Sequence, residues 1–315
     1  MTITAASIHE KKAMNILITG GTGFIGCALA QHLRQQGHVI TVLSRQPETV
    51  PILCGAGIKA VSQLEQLLSD APYQVIINLA GAAIFDARWS DARKHLIRTS
   101  RIAFTEQLVA TIARMPIKPA LLISGSAIGY YGNQGDTVLT EQSATIPDFS
   151  QQLCTDWEAA AMQAELLGLR VCIIRTGLVI GANGGLLQRM LLPFRLGLGG
   201  RLGSGLQWMS WIDRQDWINI ADTMINDTTL QGAYNATAPN PVTNAEFTQT
   251  LARCLKRPAL LPIPAGVLRL LLGEMSELVL GSQRVIPERL LAQGFTFQVN
   301  DLTHAINHAL LLNHK

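Results

Sequence analysis

The sequence predicts an α/β fold: a doubly wound parallel sheet with helices on both faces, joined to a smaller, mainly helical C-terminal lobe. Three observations predict it. Short apolar runs of strand length recur at 15–19, 38–43, 75–79, 120–124, 171–175 and 233–236. Stretches of helical period separate them, notably 23–36, 91–114 and 149–167. The runs are apolar on both alternating sets of positions, as a strand covered on two faces requires.

The elements follow in order. The run at 15–19 ends in a glycine turn, and the helix after it stops at Gly37. Residues 38–43 are rich in β-branched side chains, which suit a pleated surface. After Arg175 the rhythm changes: residues 177–205 are glycine-rich, as in a loop excursion reaching over a ligand. A helix is expected at 213–227, a last strand at 233–236, and a mostly helical tail from Pro241 that closes with a helix at 301–312. The expected total is seven strands. The division is a nucleotide-binding domain at 14–177 and 215–240, and a lobe at 178–214 and 241–315. Residues 1–13 read as a tail ahead of Met14, an alternative start.

Bulk properties narrow the function classes. The chain has 315 residues, of which 48% are hydrophobic and 15% charged, so a sizeable core is expected and global disorder is not. A net charge of +3, without a dense Lys/Arg run, gives no footprint for nucleic acid. The five cysteines, Cys27, Cys54, Cys154, Cys172 and Cys254, form no C-x-x-C pair and read as reduced thiols. No signal-peptide core and no uninterrupted apolar run of about 18 residues is present, so a cytoplasmic protein without a membrane span is expected. His304 and His308 share a helix face but lack a third ligand nearby, so no metal is expected.

The motif carrying chemistry is Thr19-Gly-Gly-Thr-Gly-Phe-Ile-Gly26, between the first strand and the first helix. Gly20 permits a tight turn, Gly23 admits a pyrophosphate to the backbone, and Gly26 lets the helix pack closely on the strand. The helix N-terminus, with Thr22, Phe24 and Ile25 around it, then offers free N–H groups to phosphate. This is the dinucleotide-binding, Rossmann-type arrangement. The second strand ends in Leu43-Ser44-Arg45, with no acid to take a ribose 2′-hydroxyl. Ser44 and Arg45 suit a 2′-phosphate, which favours NADP(H) over NAD(H).

With these residues in place the chain resembles the extended short-chain dehydrogenase/reductases, the group that includes nucleotide-sugar epimerases. Asn78-Leu79-Ala80-Gly81 after the fourth strand, Ser124-Gly125-Ser126 after the fifth and Arg175-Thr176-Gly177 after the sixth match by position. The resemblance implies that the first segment, Ser124 and Arg175 line the cofactor and that Ser126 is the active-site serine. More narrowly, the chain is similar to an atypical subgroup often labelled "epimerase family protein". The marks are Ser124-Gly-Ser-Ala-Ile-Gly-Tyr-Tyr-Gly132, Trp157-Glu158, Phe194-Arg-Leu-Gly-Leu-Gly-Gly200 and, in a small terminal domain of unknown function, Leu280-Gly-Ser-Gln-Arg-Val-Ile-Pro-Glu-Arg289. The resemblance covers nearly all of 14–312. It implies a small-molecule substrate and a homodimer through the helices at 91–114 and 149–167.

The chain departs from the family at its proton relay. The family's tyrosine exchanges a proton with the substrate oxygen, and a lysine four positions on lowers that phenol's pKa. Aligned on Phe149, the lysine position holds Leu153; aligned on Glu158, the two positions hold Ser150 and Cys154. Neither register supplies Tyr or Lys. Ser126 remains, and Tyr130 and Tyr131 follow it closely, either reaching a substrate oxygen or packing as rings. Cys154 reads as a small apolar side chain. Among Arg88, Lys94, Arg98 and Arg101, some could face an anionic substrate while most form a solvated face. Three readings follow: an NADP-dependent oxidoreductase or epimerase on a small carbonyl or hydroxyl compound, nucleotide-sugar-like or otherwise; a cofactor-binding sensor that lost catalysis; or an unliganded scaffold, against which the intact glycine loop argues.

Overall fold

The computed structural model describes residues 13–312. Residues 1–12, most of the expected tail, lie outside that range. Seven strands form the main sheet: β1 (Asn15–Thr19), β2 (Val39–Leu43), β3 (Lys59–Val61), β4 (Val75–Asn78), β5 (Leu121–Ala127), β6 (Arg170–Thr176) and β7 (Gly232–Ala236). Their order across the sheet is β3-β2-β1-β4-β5-β6-β7, and every pairing is parallel. The order reverses direction between β1 and β4. A crevice therefore opens at the carboxyl ends of those strands, where ligands bind in open α/β sheets.

The alternation in the strands divides the core in two. Ile16, Ile18, Ile40, Val42, Val75, Ile77, Ile123 and Ile174 face one side, against Leu29 and Leu33 of the helix Phe24–Gln35 and Trp217 and Ile220 of the helix Arg214–Asn226. Leu17, Leu43, Ile76, Leu122, Val171 and Ile173 face the other, against Leu108 and Ile112 of Ile102–Arg114 and Ala161 of Phe149–Met162. A third core lies past the sheet, where Leu187, Leu191 and Phe194 pack with Phe247, Leu251 and Ile306. It joins the helices Gly185–Arg195, Asn244–Leu255 and Leu302–Leu312.

Three elements differ from the sequence reading. The third strand, Lys59–Val61, is too short to carry a period. The glycine-rich 177–205 segment is only partly loop: it contains a strand, Leu178–Ile180, and the helix Gly185–Arg195. Gly181, Gly184 and Gly185 make room for the Phe24 ring, which an added Cβ at Gly184 would meet at 2.4 Å. The helix expected at 91–114 is two, Asp91–Thr99 and Ile102–Arg114. The chain bends at Arg101, whose φ of −111° and ψ of −62° leave the helical geometry.

Candidate cofactor and substrate cleft

The glycine loop forms a cradle that any side chain would fill. Gly20 has a φ of +68°, and a Cβ on it would sit 2.5 Å from the Leu79 carbonyl oxygen. A Cβ on Gly26 would sit 2.4 Å from the Gly20 oxygen. The Gly23 N–H donates to that same oxygen at 3.0 Å, which closes the turn. No side chain caps the helix that follows and no acid lies in its first turn, so its positive end faces outward. Thr22, Phe24 and Ile25 are half-buried around it, and Gly23 is exposed. At the end of the adjoining β2, Ser44 Oγ accepts from the Gln46 N–H at 3.1 Å and Arg45 is exposed. These residues fit a dinucleotide with a 2′-phosphate: room against the backbone, a helix N-terminus, and a cation without a nearby carboxylate.

Beneath the cleft the strand ends are tied by a polar row. Thr19, Asn78 and Ser124 stand side by side in register on β1, β4 and β5. Thr19 Oγ1 donates to Asn78 Oδ1 at 2.7 Å, and Asn78 Nδ2 donates to Thr105 Oγ1 at 2.8 Å. Asn78 and Ser124 are fully buried. Their side chains tie the carboxyl ends of the strands together beneath the cleft. Leu79 lines the cleft, with Ala80 and Gly81 continuing its rim.

The cleft has a volume of about 870 Å³ and runs from these strand ends under the C-terminal lobe. Ser126 lines it, and its hydroxyl donates to Glu158 Oε1 at 2.6 Å. Arg175 clamps the same carboxylate through Nε and Nη2, both at 2.9 Å. Its Nη1 donates to the Tyr131 hydroxyl at 3.0 Å, which donates onward to Asn235 Oδ1 at 2.6 Å. The guanidinium lies 3.4 Å from the Tyr130 ring centre.

Arg175, Tyr130 and Tyr131 do not line the cleft. Arg175 and Tyr131 form a buried network beside Ser126, with the half-buried Tyr130 ring against the guanidinium, and burial pushes the Tyr131 phenol up to about 12. Glu141 braces it from the far side, accepting from the Asn235 and Arg289 N–H groups.

The residues of both registers, Phe149 with Leu153 and Ser150 with Cys154, line the cleft. Ser150 and Cys154, on one face of Phe149–Met162, meet the end of β5: a Cβ on Gly129 would lie 3.1 Å from Ser150 Cβ and 3.8 Å from Cys154 Sγ. Leu153 packs with Trp89 and Met275. Burial and the nearby Glu158 push the Cys154 thiol up to about 12, so at pH 8 it stays protonated. Iodoacetamide at pH 8 should therefore label half-buried Cys27 well ahead of Cys154; equal labelling rates, read by peptide mass spectrometry, would disprove the inert assignment.

One cleft residue had no sharp signal in the sequence. Arg101 lines the cleft, whereas Lys94 pairs with Glu274 at 2.8 Å and Arg98 with Asp156 at 2.6 Å. The bend at Arg101 turns its guanidinium inward, where Nη1 donates to the Ala82 carbonyl at 3.0 Å. Gly81 leaves the space, since a Cβ there would meet the guanidinium carbon at 2.8 Å. Nothing near Ser100 is a glycine or proline, so the bend was not legible locally. Among the described residues no His, Cys, Asp and Glu side chains converge as a metal cluster, and no helix is long and apolar enough to cross a membrane.

Fold and cleft together define a Rossmann-type dinucleotide-binding protein of the short-chain dehydrogenase/reductase kind. The chain belongs to the NAD dependent epimerase/dehydratase family, whose pattern it matches over residues 16–236, and it carries a domain of unknown function, DUF1731, over 263–309. It is 40% identical over 297 residues to an epimerase family protein of Mycobacterium bovis, covering 93% of this chain and 97% of that protein. It is 38% identical over 309 residues to the chloroplastic epimerase family protein SDR39U1 homolog of Arabidopsis thaliana, covering 95% and 88%. The crystal structure of human epimerase family protein SDR39U1 (isoform 2) with NADPH superimposes with a TM-score of 0.84 at 34% identity, covering 94% of this chain and 99% of that one.

Proposed function

We propose that this protein is an NADP(H)-binding oxidoreductase or epimerase-like enzyme acting on a small carbonyl or hydroxyl compound in the cleft beside Ser126. The observation that carries the cofactor choice is the end of β2, where exposed Arg45 stands next to the glycine cradle with no acid in Leu43-Ser44-Arg45. The NADPH in the human relative's structure supports it. When bound, the nicotinamide supplies or accepts hydride. Residues 20–26 hold the pyrophosphate, and Ser44 and Arg45 hold the 2′-phosphate. Ser126 directs its own proton at Glu158, so its lone pairs are free to accept a hydrogen bond from a substrate hydroxyl and orient it.

Calorimetry with NADPH and NADH tests the cofactor reading. Wild type should prefer NADPH, and Arg45→Ala should weaken NADPH binding by roughly 10- to 100-fold, the worth of a charge-assisted bond, while leaving NADH nearly unchanged. Equal affinity for both cofactors, or an Arg45→Ala variant indistinguishable from wild type, would sink it.

A second reading, a cofactor-dependent sensor, is favoured by one observation. The relay positions hold Phe149 and Leu153 in one register and Ser150 and Cys154 in the other, so neither supplies Tyr or Lys, and burial pushes the Cys154 thiol up to about 12. NADPH oxidation across a panel of aldehydes and ketones separates a reductase from a sensor, which consumes no cofactor; an epimerase, which returns its hydride, is separated by inversion of a hydroxyl centre in a panel of hydroxyl compounds.

A further inference from the structure

The walls of the cleft and its ionic groups are unequal. Phe85, Trp89, Phe149, Leu153, Met190 and Phe194 all line it. Most of its charged groups are committed elsewhere. Asp148 caps the helix Phe149–Met162 by accepting from the Gln151 N–H at 2.7 Å. Arg189 pairs with Asp86 at 2.7 Å, and Glu274 with Lys94. Arg269 and Glu277 are exposed at the mouth.

Arg101 is the exception. It lies inside the cleft, 5.3 Å from the Trp157 ring centre, and among the described residues no carboxylate pairs with it. Its Nη1 meets two backbone carbonyls, of Ala82 and Ile97, while Nε and Nη2 have no protein acceptor. Burial holds the guanidinium below its usual range. Arg101 is half-buried in the cleft lining, and its unused donors are open to an anion there. A ligand acid group would meet it with two parallel hydrogen bonds.

We propose that the cleft binds an amphipathic organic anion, an apolar aliphatic or aromatic body carrying one carboxylate or similar acid group, and that Arg101 pairs with that group. The aromatic and aliphatic walls take the body. A volume of about 870 Å³ accommodates a molecule of that class. A nucleoside diphosphate fits less well, since its two phosphates call for several converging donors, whereas of the described cations lining the cleft Arg189 is paired with Asp86 and Arg269 is exposed. The proposal rests on the reading of this cleft as the substrate site.

The test titrates the full chain, with and without saturating NADPH, with 2-naphthoate and decanoate, their alcohols 2-naphthalenemethanol and decanol, and UDP. The carboxylates should bind at least about tenfold more tightly than the alcohols. Arg101→Met should erase that preference, Arg101→Lys should restore part of it, and neither should change NADPH affinity. The wild-type comparison stands even if a variant folds poorly. The proposal is overturned if the alcohols match the carboxylates, if nothing but UDP binds, or if no probe binds. It is also overturned if Arg101→Met weakens NADPH and spares the carboxylates, which assigns the guanidinium to the cofactor. Carboxylate binding in a protein that binds no NADPH would overturn the cofactor reading alone.

Discussion

Replacing Arg175 with methionine is expected to cost the fold about 3–5 kcal/mol, because it strands a carboxylate in the interior. Arg175 is 4% exposed and Glu158 9%. The guanidinium makes both hydrogen bonds that clamp Glu158 and a third to Tyr131. Without it, Glu158 keeps the Ser126 hydroxyl and has no cation. The loss therefore exceeds the net worth of the bonds themselves. The double variant Arg175→Met/Glu158→Leu should recover a large part of the loss, since an apolar pair of similar volume removes both desolvation costs. Urea unfolding of the three proteins checks this. A single variant within about 1 kcal/mol of wild type, or a double variant no better than the single, would show that the pair is not the clamp of this edge.

Gly26→Ala is expected to abolish useful cofactor binding, although alanine is the better helix former by about 1 kcal/mol. Gly26 is buried in the first turn of Phe24–Gln35, and the Cβ would enter to 2.4 Å of the Gly20 oxygen and 2.8 Å of Gly21 Cα. Both obstacles are backbone, so relief requires the helix and the loop to separate. Overpacking of this kind costs about 1–3 kcal/mol. The larger effect falls on NADPH: spreading the cradle removes two or more phosphate contacts, a loss on the order of 100-fold. Gly37→Ala is the control. Gly37 has a φ of +89° with nothing near its absent Cβ, at the far end of the same helix. It should lose about 1–2 kcal/mol for the left-handed backbone and keep its NADPH affinity. Calorimetry on both variants decides; a Gly26→Ala protein binding NADPH like wild type would remove the loop from the site.

Much of this was legible in the sequence because local patterns encode it. Two-residue alternation with apolar residues on both sets of positions marks strands such as Ile16–Ile18 and Ile76–Ile77, and the structure seats alternate residues in the two cores. A glycine loop after a strand needs only its own spacing to be recognised, and the missing acid beyond Leu43 is a property of three consecutive residues. The broken helix at 91–114 was not legible, because Ser100 and Arg101 are ordinary helical residues and the bend is stabilised by partners outside the helix. Arg101 reaches the Ala82 carbonyl, and the Ser100 hydroxyl accepts from the Ala82 N–H at 2.9 Å.

The sequence by itself determined the sheet, the winding of helices around it and the phosphate cradle, for these follow from periodicity and backbone freedom within short windows. Only the tertiary structure decided which polar residues meet the ligand. Tyr131 and Asn235 lie 104 positions apart, and Arg175 and Tyr131 lie 44 apart. Their contacts join distant segments into one buried brace beside Ser126. Ser150, Cys154 and Arg101 came to the cleft through packing between elements. A side chain's chemistry is written in its residue type; whether it faces solvent, ligand or another side chain depends on chain segments that no local pattern brings together.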